Sequence, residues 1–85
     1  MKVKVGDRVE YWGGLEGSIL AEGIVARIEL APEVMVELED PAAEALVEDL
    51  DLDQDSGGTF IDIEGGKWTY SARLISVNGV TVADR

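Results

Sequence analysis

The segment LISVNGVTVA, residues 74–83, decides the fold class of this 85-residue chain. Apolar and β-branched residues flank Asn78-Gly79, which is the typical centre of a two-residue β-hairpin, because both central positions of a type I′ turn need a positive φ. The sequence therefore predicts two antiparallel strands, at 74–77 and 80–83. A second turn signal, Gly65-Gly66, predicts another hairpin between a strand ending near Glu64 and a strand starting at Lys67.

Alternation of apolar and polar residues extends the β pattern toward the N-terminus. This period of two is visible at 8–11, 23–30, 34–38, 61–64 and 68–70. Helical spacing occurs only at 41–50, where a proline precedes apolar residues three and four positions apart. We therefore expect a mainly β, small antiparallel barrel of five or six strands with one short helix near 42–50.

Four segments of the chain resemble SH3-like small β-barrels of the KOW and Tudor kind. They are GDRVEYWGG (6–14), GIVARIE (23–29), VMVELED (34–40) and KWTYSARLISV (67–77). The resemblance implies one SH3-like barrel domain over residues 1–85, in which a helix and an acidic loop form an insertion at about 41–58. Likeness of fold does not carry function, so the resemblance implies no activity.

The composition argues against catalysis. The chain has neither cysteine nor histidine, which excludes disulfides, thiolate or imidazole metal ligands, and cysteine or histidine in acid–base and nucleophilic roles. Its serines lie outside any nucleophile motif, and no phosphate-binding glycine loop occurs. Two carboxylates could in principle perform acid–base chemistry, but acidic residues are more often a solvated face. We expect a binding protein and not an enzyme.

Charge is distributed unevenly along the chain. The net charge is −11, and residues 28–66 contain thirteen acids and no lysine or arginine. The field repels nucleic acid, which needs a basic binding surface. Three interpretations of the acidity remain open. It gives solubility or adaptation to a salty cytoplasm, it forms a docking face for a basic protein, or it mimics a nucleic-acid backbone.

The five aromatic residues divide into two groups by strand parity. We expect Tyr11, Trp68 and Tyr70 to fill the core, since large rings dominate small cores. Trp12 and Phe60 fall on the opposite parity and are candidates for exposure, although Trp12 could also cover an open barrel end. Exposed rings beside acids can cage a methylated or free ammonium by cation–π attraction, as the Tudor-like resemblance implies.

The segment DLDQDSGGTFIDIEGG, residues 51–66, partly matches a calcium-binding EF-hand loop. In that register Asp53 and Asp55 take positions 1 and 3, Thr59 gives the backbone ligand at position 7, and Glu64 is the bidentate ligand at position 12. Gly57 and Ile61 supply no side-chain oxygen at positions 5 and 9. The alternative interpretation is an acidic loop that crosses a barrel edge, with no cofactor.

These observations predict a non-catalytic module that binds a protein with a basic or cationic surface through residues 37–62. An assembly subunit that pairs through strand edges is the alternative from another class, and the oligomeric state stays open. No signal peptide or apolar membrane-spanning run is visible, so we expect a cytoplasmic protein without a membrane partner. The candidate partner-binding residues are Trp12, Glu37, Glu39, Asp40, Phe60 and Asp62.

Overall fold

The computed structural model describes residues 1–30 and 46–82. Within them the chain is mainly β and its strands pair in antiparallel fashion, as predicted. The strands are β1 (Lys2–Lys4), β2 (Arg8–Gly13), β3 (Ile19–Glu29), β4 (Leu46–Val47), β5 (Asp49–Asp51), β6 (Phe60–Ile63), β7 (Lys67–Tyr70), β8 (Leu74–Val77) and β9 (Val80–Thr81). A single 3₁₀ turn, Ser71–Arg73, joins β7 to β8.

The long strand β3 organises the main sheet. Its N-terminal half pairs with β2, and after an irregularity between Val25 and Arg27 its C-terminal half pairs with β6. The sheet order is β7-β6-β3-β2-β8-β9, while β4 also pairs with β3, and β1 pairs with β5 separately. The barrel is not closed, and the described residues form nine strands instead of the five or six predicted.

Both predicted hairpins are confirmed. Asn78 and Gly79 have φ values of 50° and 82°, as a type I′ turn requires, and Val77 pairs directly with Val80. Gly65 and Gly66, also with positive φ, connect β6 to β7. In each case the local turn residues fix the register of the two strands.

The core is formed by one face of the strands. In β2 the buried positions alternate with exposed ones, as a period of two demands. The buried apolar side chains come from both sheets: Val3, Val9, Tyr11, Val25, Ile28, Leu50, Leu52, Ile61, Ile63, Leu74 and Val77. The two-stranded β1–β5 sheet thus closes one side of the core through Val3 and Leu50.

The prediction of a helix near 42–50 is wrong for residues 46–50. Residues 46–47 form β4 and residues 49–51 form β5, where Leu50 pairs with Val3. Leu46 and Leu50 fit one helical face by spacing, but Leu46 is exposed while Leu50 is buried. Pairing with distant strands overrides the weak local helical preference. Residues 42–45 and the strand predicted at 34–38 lie outside the described residues.

Candidate functional site

Three aromatic rings form a contact cluster on the outer side of strands β6 and β7. The rings of Phe60 and Trp68 are stacked with centroids 5.6 Å apart. Tyr70 meets both edge-on, at 5.9 Å from Phe60 and 5.4 Å from Trp68. Offset and edge-to-face contacts at these distances are favourable. We call Phe60, Trp68 and Tyr70 the aromatic face.

The expectation that Trp68 and Tyr70 fill the core is wrong. Trp68 is half-buried and Tyr70 is 38% exposed, whereas Thr69 between them is fully buried. The Thr69 hydroxyl donates a hydrogen bond to the main-chain oxygen of Trp12 at 3.1 Å. Because this bond satisfies the threonine inside the protein, β7 takes the parity that turns both large rings outward.

Charged side chains border the aromatic face. Asp62 is the direct cross-strand partner of Trp68, and Glu29 is that of Phe60. Arg27 lies between the two acids, with its Nη2 atom 2.5 Å from Asp62 Oδ2 and 4.0 Å from Glu29 Oε2. The rings therefore sit beside two carboxylates that share one guanidinium.

A second arginine already occupies one ring of the face. The guanidinium carbon of Arg73 lies 5.3 Å from the centroid of Tyr70, within the range of a cation–π contact. The same side chain donates hydrogen bonds to the carbonyl oxygens of Gly14 and Leu15. Arg73 thus connects the aromatic face to the loop between β2 and β3.

The structure brings together only some of the predicted binding residues. Phe60 and Asp62 share the outer side of β6. Trp12 is 42% exposed, as its parity indicated, but it lies opposite Leu20 on the β2–β3 hairpin and takes part in none of the described ring contacts. Glu37, Glu39 and Asp40 lie outside the described residues.

The sequence reasoning missed Trp68 and Tyr70 of the aromatic face and the three charged residues that border it, Arg27, Glu29 and Arg73. The sequence did contain a signal for Trp68 and Tyr70. Phe60 and Asp62 alternate with buried Ile61 and Ile63, so the outer parity of β6 was readable, and a hairpin through Gly65-Gly66 places β7 residues opposite them. The register of that hairpin was needed to assign Trp68 and Tyr70 to the same side.

The predicted calcium loop contains a compact hydrogen-bond cluster. Asp55 accepts hydrogen bonds from the Gly57 amide at 2.8 Å, from the Thr59 hydroxyl at 2.6 Å, and from the Ser71 hydroxyl. Thr59 and Ser71 are buried. We call these four residues the Asp55 cluster. It fastens the loop before β6 to the 3₁₀ turn, because the Ser71 amide also donates to the Thr59 carbonyl.

The other predicted calcium ligands are arranged differently. Asp53 Oδ2 accepts a hydrogen bond from the terminal ammonium of Met1 at 2.7 Å. Glu64 follows β6, at the end of that strand away from Thr59. In residues 1–30 and 46–82 no group of three or more acidic, histidine or cysteine side chains is placed to hold a metal ion. The calcium site stays a prediction.

A cleft of about 330 Å³ lies between the edge of β7 and the β2–β3 hairpin. Its lining includes Tyr11, Gly13, Ile19, Ala21, Lys67 and Trp68. We call it the seam cleft. The Tyr11 side chain is buried, and within the described part of the chain its hydroxyl has no hydrogen-bond partner. Burial raises the pKa of Tyr11 above its ordinary value, so the phenol stays protonated at neutral pH.

No helix in the described ranges is long and apolar enough to cross a membrane. Comparison with known proteins assigns the chain to no family. The chain matches no protein-family model, no curated protein sequence and no solved structure.

Proposed function

We propose that this chain is a non-catalytic binding module that engages a basic segment of a partner protein through the aromatic face. The observation that carries the proposal is the contact cluster of three outward rings, one of which already holds the Arg73 guanidinium at 5.3 Å. Tryptophan gives the strongest cation–π attraction, and Trp68 contacts both of the other rings.

The charge of the molecule supports the same kind of partner. A net charge of −11 raises the local concentration of cationic segments and accelerates their association. Asp62 and Glu29 border the rings, so a partner arginine that stacks on an aromatic ring would share these carboxylates with Arg27. Tyrosine and tryptophan side chains are also enriched at the energetic centres of protein interfaces.

The contact surface in this proposal differs from the one predicted from the sequence. The sequence placed the contact across the acidic stretch 37–62, and the aromatic face adds β7 to it. The SH3-like resemblance remains part of the proposal, since the open barrel and the 3₁₀ turn before the last hairpin are compatible with it. The proposal itself rests on the rings and the carboxylates.

A peptide titration with two tryptophan variants tests the proposal. The probe is an arginine-rich peptide, with a glutamate-rich peptide of equal length as the negative control, and binding is measured by calorimetry and backbone amide shifts. Trp68→Leu should weaken binding by about 2-fold to 30-fold, the range of a cation–π contact. Trp12→Leu changes the other indole of the chain, which is more exposed and lies elsewhere on the surface, and it should leave the affinity within about twofold.

The outcome that would overturn the proposal is an equal loss in both variants, or shifts that avoid β6 and β7. Thermal melting of each variant confirms that it is folded, and Phe60→Leu serves as a second probe of the face. Binding should also fall between about 0.1 M and about 1 M salt, where the Debye length decreases from about 10 Å to about 3 Å.

The salt series also separates the alternative function. The main sheet ends at β9, where Val80 is exposed, and an edge strand can pair with another chain. A complex formed by such pairing would persist at about 1 M salt, because main-chain hydrogen bonds are screened less than exposed charges. Pairing along β9 would shift the amides of β9, and the salt series identifies pairing along β7, which is the other end of the main sheet.

A further inference from the structure

Strand β7 leaves one of its edges unpaired within the described residues. It pairs with β6 on one side and ends the main sheet on the other. An unpaired edge presents main-chain N–H and C=O groups that can hydrogen-bond an added strand. β7 also supplies two rings of the aromatic face, Trp68 and Tyr70. The edge and most of the face therefore belong to one strand, Lys67–Tyr70.

A hydrogen bond just beyond the β6–β7 pair shows how the two strands are bonded. The Ser71 amide donates to the Thr59 carbonyl oxygen at 2.8 Å, and these residues continue the register that places Phe60 opposite Tyr70. In an antiparallel pair, residue pairs that exchange main-chain hydrogen bonds alternate with pairs that do not. The Phe60–Tyr70 pair is therefore of the second kind, and its main-chain groups point away from each other.

The same alternation extends along β7. Thr69 and Lys67 bond to β6, while the N–H and C=O groups of Trp68 point to the free edge together with those of Tyr70. The other side of β6 agrees with this assignment. The Glu64 amide donates to a carbonyl oxygen of β3 at 2.9 Å, so the even-numbered residues of β6 face β3 and the odd-numbered ones face β7. The two residues that carry the rings thus also offer two donors and two acceptors to the edge.

A strand added at this edge would place side chains beside the aromatic face. Residues opposite Trp68 and Tyr70 would turn their side chains to the outer side, because directly opposite residues share a face and their Cβ atoms lie about 4.5–5.5 Å apart. These two positions are two residues apart in the added strand. A segment that contacts both rings therefore presents side chains at positions i and i+2.

The seam cleft receives the residue between these two positions. Lys67 and Trp68 line the cleft from β7, and Ile19 and Ala21 line it from the hairpin. The intervening residue of an added strand would point to the inner side of the sheet, as the buried Thr69 does. Because the hairpin side of the cleft is apolar and burial of apolar surface is favourable, an apolar side chain fits this position.

We propose that the basic segment engaged by the aromatic face adds to β7 as a short strand, with basic residues at positions i and i+2 and an apolar residue between them. The inference rests on the proposed function, which supplies the cationic partner. Asp62 lies opposite Trp68, and together with the net charge of −11 it favours basic side chains on the outer side. Because these side chains are charged, the added strand weakens as salt rises, unlike the charge-independent pairing of an assembly subunit.

Two peptides of identical composition test the spacing. Each contains two arginines, one valine and three threonines, and each is titrated into the whole chain by calorimetry. The first has the valine alone between its arginines, whereas the second separates them by two residues and so turns them to opposite sides of a strand. The first should bind about twofold to fivefold more tightly, the value of one cation–π contact at an exposed site.

Methylation of the peptide main chain tests the added strand itself. One derivative of the first peptide is methylated on the two arginine amides, and the other on two of the remaining amides that alternate with them. In an antiparallel addition the arginine amides face β7, and in a parallel addition the alternating amides do. Binding should fall by about tenfold or more in one derivative only, because two hydrogen bonds are lost, and the sensitive derivative gives the strand direction.

The amide protons of β7 report the same contact from the protein side. Those of Lys67 and Thr69 are bonded to β6 in both states, so the temperature dependence of their shifts should stay small. Those of Trp68 and Tyr70 should change from the strong temperature dependence of a solvated amide to the weak dependence of a bonded one. A contact made by side chains alone would leave Trp68 and Tyr70 unchanged in this respect.

The outcomes separate this inference from the function on which it rests. Binding that is weakened by Trp68→Leu but equal for both spacings and both methylated derivatives would overturn the added strand and leave the proposed function standing. Unchanged amide protons of Trp68 and Tyr70 in the complex would have the same meaning. Failure of the arginine-rich peptide to bind the parent chain would instead overturn the proposed function, and the added basic strand with it.

Discussion

At the scale of single residues, Gly23 occupies a place where no side chain fits. A Cβ atom there would lie 2.4 Å from Cγ2 of Ile63, which is buried in the core. The φ of Gly23 is not positive, so alanine could adopt the backbone conformation and only the contact opposes it. Glycine at this point lets β3 approach the end of β6 closely.

Gly23→Ala should therefore lower the free energy of unfolding by about 1–3 kcal/mol, the usual cost of overpacking a core. Urea denaturation measures the loss. The double variant Gly23→Ala/Ile63→Ala is the control, since removing Cγ2 also removes the clash. Its total cost should be smaller than the sum of the two single costs. If the two single costs simply add in the double variant, the contact with Ile63 is not the reason for glycine at position 23.

Tyr11 predicts a pH dependence at the alkaline end. Burial raises its pKa in the folded state above the ordinary value of 10.0. The stabilising contribution of the protonated phenol is present below the unfolded pKa and is lost as pH rises through the folded pKa. Urea denaturation from about pH 8 to about pH 11 measures this loss. The free energy of unfolding should fall in the parent chain and in Tyr70→Phe, and it should fall less in Tyr11→Phe. Equal losses in all three would contradict the assignment.

The parity of β7 shows what residue patterns could and could not predict. Alternation at 68–70 correctly separates Thr69 from its two neighbours, but it does not say which set faces inward. Ring size favoured Trp68 and Tyr70, and the structure buries Thr69 instead. The deciding interaction is its hydrogen bond to Trp12, a residue 57 positions away, which no local pattern contains.

At the scale of elements, the Asp55 cluster fixes the approach to β6. Asp55→Ala removes the acceptor of two buried hydroxyls, Thr59 and Ser71. The free energy of unfolding should fall by about 2–3 kcal/mol, because each buried hydroxyl loses a charged acceptor, at a cost of about 1–3 kcal/mol. The measurement is urea denaturation.

Asp49→Ala is the matched control for this substitution. Asp49 lies on β5 with an exposed side chain, and its removal should cost less than about 1 kcal/mol. The comparison holds the change in charge and in side-chain size constant. Comparable losses in the two variants would mean that net charge, and not the hydrogen-bond cluster, governs the stability of this loop.

Elements with their own turn residues could be predicted from sequence, and elements paired over long distances could not. Asn78-Gly79 and Gly65-Gly66 each specify a hairpin locally. By contrast, β5 exists because Leu50 pairs with Val3 of β1, and three alternating residues at the N-terminus gave no independent signal for β1. The helical spacing at 41–50 therefore predicted a helix, because the sequence did not reveal β1, the strand with which residues 49–51 pair.

At the scale of the whole molecule, a net charge of −11 makes the folded state sensitive to cations. Repulsion among carboxylates weakens the compact form, and screening relieves it. We expect calcium and magnesium at equal concentration to raise the melting temperature by equal amounts. The reason is that Asp55 already accepts hydrogen bonds from its cluster, while Glu64 follows the other end of β6.

Glu64→Gln tests the calcium loop directly. In a screened acidic protein this variant should respond to both ions as the parent chain does. A larger shift with calcium, abolished by Glu64→Gln, would instead establish the predicted site, since a bidentate carboxylate at that position is a main determinant of calcium affinity. The sequence could predict the acidity, but the spacing of the acids could not indicate that Asp53, Asp55 and Glu64 have separate surroundings in the structure.

The bent strand β3 has a consequence for hydrogen exchange. Ile28 pairs with Val47 on one edge of the strand and with Ile61 on the other, so its neighbouring amides are shielded from both sides. They should exchange with solvent only through global unfolding, whereas the two-residue strand β9 should exchange through fraying. Because β6 carries part of the aromatic face and docks on β3, the face would not melt ahead of the core. A ligand that binds it would then slow exchange across the whole central sheet.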